Sequence, residues 1–165
     1  MNPNQQNVRL RGVCEDLGLR NVRTVVASGN VVFETDTTDV PALEAHLEAA
    51  WLDKLGFNST TIIRSRSDLQ SIVDADPFSG LEHGKTTYLL VTFFKDPIAA
   101  DLALPYAVPG RDYRIVAATP SELYSVTDTT GARTPDLMAW LERQFGKDLT
   151  SRTRLTVSRI LAKMG

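Results

Sequence analysis

The chain has 165 residues, 42% of them hydrophobic and 23% charged, with a formal net charge of −2. That length buries roughly 68–70% of the unfolded surface, enough for a core without staples, and the apolar content with low net charge excludes a disordered chain. Cys14 is the single cysteine, so no intrachain disulfide framework exists. No apolar run approaches the ~20 residues that span a bilayer, and the first ten residues hold no signal-peptide core. A cytoplasmic protein with no membrane partner is expected.

Leu10, Val13, Cys14 and Leu17 fall at i, i+3, i+4 and i+7, the stripe of an amphipathic helix, and Gly18 marks its stop. Residues 21–27 and 30–34 alternate as two strands joined by a tight turn. A second helix follows on Val40, Leu43, Leu47, Ala50 and Trp51, with Pro41 in its first turn. Residues 60–64 read as a strand. Ser65 and Asp68 have capping-box spacing, and Leu69, Ile72 and Val73 give the next helix its apolar face. Residues 86–94 are apolar on both faces, which predicts a central strand covered on both sides. Asp96-Pro97 offers a cap and N1 proline for a short helix through residue 102. Two strands are expected around 113–117 and 122–126. A helix with Leu137, Met138, Leu141 and Phe145 follows, then a short strand near 149–153, then a terminal helix on Val157, Ile160, Leu161 and Met164.

Residues 86–154 thus read in the ferredoxin-like βαββαβ order, and residues 8–64 in the same order without its first strand. The expected fold class is α+β: two ferredoxin-like (alpha-beta plait) units in tandem, the first missing its N-terminal strand, plus a C-terminal helix. The boundaries are 1–65 for the incomplete first unit and 66–165 for the second unit with its connecting and C-terminal helices. A doubly wound parallel sheet is disfavoured, because two hairpin-like pairs interrupt the βα alternation.

Asn21-Val22-Arg23-Thr24 followed by Ser28-Gly29-Asn30-Val31-Val32-Phe33 resembles the bacterial family known as domain of unknown function 1697. Asp76-Pro77-Phe78, Leu141-Glu142-Arg143 with Gly146, and Thr150, Arg152, Thr156 and Val157 extend the resemblance across about residues 10–161. The resemblance implies two ferredoxin-like units and no established activity, cofactor or catalytic residue. The chain departs from the family pattern at three places. Residues 1–7 stand where the family has a first strand and glycine-rich turn. Ala132-Arg133-Thr134-Pro135-Asp136 replaces a Gly-Arg-Ser-Lys-Leu segment, and Arg152-Thr153-Arg154-Leu155-Thr156 replaces Arg-Asn-Trp-Asn-Thr.

Four residues are candidates for ligand contact. Ser28 and Asn30 flank Gly29 in the first turn, where glycine and asparagine also satisfy ordinary turn chemistry. Arg133 precedes a helix start, where backbone N–H groups favour anions. Arg152 lies on the basic C-terminal segment, in which residues 146–165 hold five basic residues and one acid, whereas residues 34–57 hold six acids and one lysine. No catalytic residue is identified. No metal or cofactor is expected: the histidines His46 and His83 have no ligand-type neighbours at metal spacing, and no phosphate-binding glycine motif occurs. The leading functional expectation is a non-catalytic binding or interaction protein, with self-association and a small anionic ligand as its partners. Two alternatives stand beside it: a small-molecule or anion-dependent enzyme with its site between the units, and nucleic-acid binding through the basic C-terminal segment. The last is disfavoured, since the strands lack the aromatic motif of RNA-reading plaits.

Overall fold

The computed structural model describes residues 3–26, 29–99, 101–131 and 136–165, with side chains from residue 6 onward. It is a mixed α+β fold whose described residues form two sheets and five α-helices. The chain divides into two compact units, Met1–Arg66 with Ser158–Gly165, and Ser67–Val157.

In the first unit, helix α1 (Pro3–Asp16) leads into strands β1 (Arg20–Val25) and β2 (Asn30–Glu34), an antiparallel pair with a bulge between Arg20 and Arg23. Asn21 supplies the positive φ of 51° inside that bulge, a conformation asparagine tolerates. Helix α2 (Val40–Ala50) is capped by Asp39, whose carboxylate accepts the Ala42 N–H at 3.1 Å. A π-helical turn, Trp51–Leu55, extends it to Gly56, whose φ of 75° ends the winding. Leu10, Val13 and Cys14 from α1 meet Leu19, Val22, Leu43, Leu47 and Trp51 in one core. The two stripes are as periodicity predicts, except that Leu17, just past the end of α1, and Val40, the first residue of α2, are exposed.

Residues 60–64 are extended but join no sheet, which corrects the expectation of a strand. Their amides find acceptors on α2 instead. Thr61 N–H donates to Glu48 Oε1 at 2.9 Å and Ile63 N–H donates to Glu44 Oε2 at 2.8 Å. Trp51 Nε1 donates to Thr61 Oγ1 at 2.9 Å. Glu44 and Glu48 sit one turn apart, so one helix side presents two carboxylates at the spacing of alternate strand residues.

In the second unit, helix α3 (Arg66–Ala75) precedes β3 (Thr87–Phe94), β4 (Tyr106–Ala107), β5 (Tyr113–Ala118), β6 (Glu122–Asp128), helix α4 (Leu137–Phe145) and β7 (Leu149–Thr153); helix α5 (Arg154–Lys163) begins here, and its residues from Ser158 onward belong to the first unit. All pairings are antiparallel, in the order β4-β5-β6-β3-β7. β3 is an interior strand between β6 and β7, with Leu89, Val91 and Phe93 buried on one face and Thr92 and Phe94 on the other, while Tyr88 at its start is exposed. α4 packs Leu137, Trp140 and Leu141 against Phe94, Tyr113, Ile115, Leu123 and Leu149. Met138, expected on that face, is exposed, and Trp140 occupies the core position.

The short helix expected over residues 96–102 does not form among the described residues. Two amides at its expected start are held by other segments of the chain: Lys95 N–H donates to Asp148 O at 3.0 Å, and Ile98 N–H to Pro120 O at 2.8 Å. The Thr134-Pro135 start lies outside the described residues, and Asp136 stands at the N-cap of α4.

Asp136 Oδ1 accepts the Tyr113 hydroxyl at 2.9 Å and pairs with Arg111 Nε at 3.2 Å. The Tyr113 hydroxyl, and less so Arg111, holds the Asp136 carboxyl below the usual range against the opposing effect of desolvation. A depressed folded pKa contributes stability that is present above the unfolded value and lost as pH falls through the folded one. Tyr113→Phe is expected to move the Asp136 pKa upward in a carboxyl-carbon NMR titration. An unchanged titration would remove the hydroxyl as the cause.

Candidate functional site

Of the four residues singled out from the sequence, Ser28 and Arg133 lie outside the described residues. Asn30 and Arg152 are described, one in each unit.

Asn30 opens β2 opposite Val25 and is buried. Its Nδ2 donates to Val25 O at 3.1 Å, so the amide closes the mouth of the hairpin. Beside it, Val26 has a φ of 51°, which its β-branched side chain resists. Asn7 Nδ2 donates to Val26 O at 3.1 Å, so one side-chain amide ties α1 to the strained residue. Val26→Asn should stabilise the chain by about 1 kcal/mol, because asparagine accepts positive φ without the entropy glycine brings. Urea unfolding checks this, and a lower midpoint for the variant would show that no strain is stored there.

Also on β1, Arg23 faces Val32 across the pair. Its Nε is shielded from solvent and meets no hydrogen-bond acceptor among the described residues. Sequence reasoning passed over Arg23. The available signal was its place two residues before Val25 in an alternating strand, which puts a cation on an apolar face.

Arg152 lies on β7 opposite Val91. Its Nη1 donates to Thr150 Oγ1 at 2.6 Å and to Ser151 O at 2.9 Å, both on its own strand. Burial lowers its pKa from the ordinary arginine value. On the opposite sheet face, Thr92 and Ser151 share a hydrogen bond of 2.7 Å.

His83 and Cys14 are held in structural roles. His83 Nδ1 accepts the Leu89 N–H at 3.1 Å, which leaves the ring proton of the neutral imidazole on Nε2. Its ring stacks on Tyr88, centroids 5.2 Å apart. His46 is exposed on α2. Cys14 is buried, and burial, aided by the Glu15 charge, pushes its thiol up to about 11. A thiol that is neutral and enclosed reacts slowly. Ellman's reagent at pH 8 should label Cys14 only after denaturant is added, and prompt labelling of the native chain would contradict its enclosure. No group of three or more His, Cys, Asp or Glu residues is placed to hold a metal among the described residues. No described helix is long and apolar enough to cross a membrane.

The class these features define is a mixed α+β protein with an arginine-bearing hairpin. Residues 3–124 match the family described as protein of unknown function (DUF1697), and the chain belongs to that family. Among solved structures, the conserved bacterial protein SP0830 from Streptococcus pneumoniae is similar in fold. It has 15% sequence identity and a TM-score of 0.68, with 96% of this chain and 88% of that one covered. No curated protein matches the sequence. No biochemical function is indicated by either likeness.

Proposed function

We propose that the chain is a non-catalytic binding protein built from ferredoxin-like units, with a small anionic molecule as its ligand class. The fold part of this reading is supported by strand order. Counting β3, β5, β6 and β7 as first to fourth, they lie in the order 4-1-3-2 and are antiparallel throughout, with α4 between the third and fourth. That is the order of a βαββαβ plait, from which residues 96–102 depart by not being helical. In the first unit, the β1–β2 hairpin between α1 and α2 fits the same scheme without its first strand, and residues 60–64 stand in for its last.

The observation that carries the binding reading is the engagement of the reactive side chains in structure. Cys14 is enclosed, the His83 acceptor nitrogen is occupied by a backbone amide, and Thr92 and Ser151 bond to each other. None of these is poised as a nucleophile beside a base. The reading places the protein in the cytoplasm, where a single thiol stays reduced. Its test is a thermal-shift screen of phosphorylated and carboxylated metabolites, followed by mass spectrometry of every stabilising compound. The expected result is at least one compound that raises Tm and is recovered unchanged. Turnover of that compound would make the protein an enzyme. Light scattering over a range of concentrations tests self-association separately, and a strict monomer removes it from the proposal.

A further inference from the structure

The hairpin of the first unit carries two arginines with opposite surroundings. Arg20 is exposed and paired, its Nη2 lying 3.0 Å from Asp36 Oδ1. Arg23 is half-buried, with its Nε out of solvent, and no acceptor or ion-pair partner meets it among the described residues. The register sets Arg23 opposite Val32 and Val25 opposite Asn30, so alternation places all four on one face of the pair. Val25, Val32 and Asn30 are buried. A guanidinium does not shed its charge at physiological pH. Its shielded Nε–H is a donor without an acceptor, a cost that an oxyanion facing the guanidinium would relieve. The carboxylates of the hairpin are engaged with other groups: Glu34 Oε1 accepts the Asn21 amide at 3.2 Å, and Asp36 pairs with Arg20.

We propose that Arg23 is the centre of a binding site for an oxyanion, the phosphate or carboxylate group of a small molecule. The guanidinium presents a planar fork of donors that matches either group. Asn30 lines the same face, its Nδ2 donated to Val25 O. The site deepens the binding reading and fails separately from it. Chemical conversion of a bound anion would end the non-catalytic reading and leave the Arg23 site standing.

The test titrates inorganic phosphate, and separately acetate, into the full chain at constant ionic strength. Arginine Nε–H resonances and Tm are followed together. One resonance should shift saturably, the shift should persist in Arg20→Gln, and it should vanish in Arg23→Met. Without anion, Arg23→Met should melt no lower than the native chain, because an apolar side chain replaces an unpaired charge. Should that variant fail to fold, Arg23→Lys keeps the charge without the fork, and its affinity should fall by about tenfold. Saturation by phosphate alone assigns a phosphate group, and saturation by acetate assigns a carboxylate. Absence of a saturable response to both anions, or full affinity in the Arg23 variants, overturns the site.

Discussion

Replacing Trp140 by alanine is expected to cost the second unit about 3–5 kcal/mol, the range for deleting a buried aromatic side chain. The indole is only 8% exposed and lies among three aromatic rings. Centroids of Tyr113, Phe145 and Tyr106 stand 6.1, 6.2 and 6.4 Å away. These neighbours come from β4, β5 and the C-terminal end of α4, so no single shift closes the void. Met138, two residues earlier on α4 and 40% exposed, is the control, and its alanine variant should change stability by less than about 0.5 kcal/mol. Urea unfolding followed by far-ultraviolet circular dichroism measures both. Equal losses for the two variants would mean that Trp140 does not occupy a core position.

Glu44→Ala is expected to cost about 2–3 kcal/mol, since it strips a charged acceptor from a partly buried amide. Glu44 is itself buried, so no solvent stands ready to replace it at Ile63 N–H. Glu44→Gln keeps an amide oxygen at that place and should lose about half as much. The site-specific readout is hydrogen exchange at Ile63, whose protection should collapse in the alanine variant and partly survive in the glutamine one. Unaltered protection in both variants would mean that another group holds residues 60–64.

How far the sequence alone carries is clearest from these two places. The stripe of Leu43 and Leu47 on α2, continued by Trp51 in the π-helical turn, and the interior strand β3 follow from period and residue type, and both occur. Local periodicity also made residues 60–64 look like a strand, yet a strand needs a neighbouring backbone, and the acceptors here are the Glu44 and Glu48 side chains. Their spacing beside Leu43 and Leu47 was the clue to partial burial. Likewise, Asp96-Pro97 carries a sound helix-start signal, and it loses to amide partners at Asp148 and Pro120 that only tertiary structure provides. Of the candidate site, Asn30 was legible as a turn residue. Arg23 shares its alternation with Val25, but the face on which it lies is fixed by the pairing with Val32 and Asn30, which only tertiary structure provides.

The chain has two tryptophans, and they fall in different units: Trp51 in the first and Trp140 in the second. Each is a native fluorophore with its own environment, Trp51 with its indole N–H donated to Thr61 and Trp140 close to Tyr106 and Tyr113. Single-tryptophan variants made with phenylalanine therefore turn one emission spectrum into two independent signals. Any ligand, denaturant or temperature that acts on one unit before the other will separate those signals in time or concentration, with no label added.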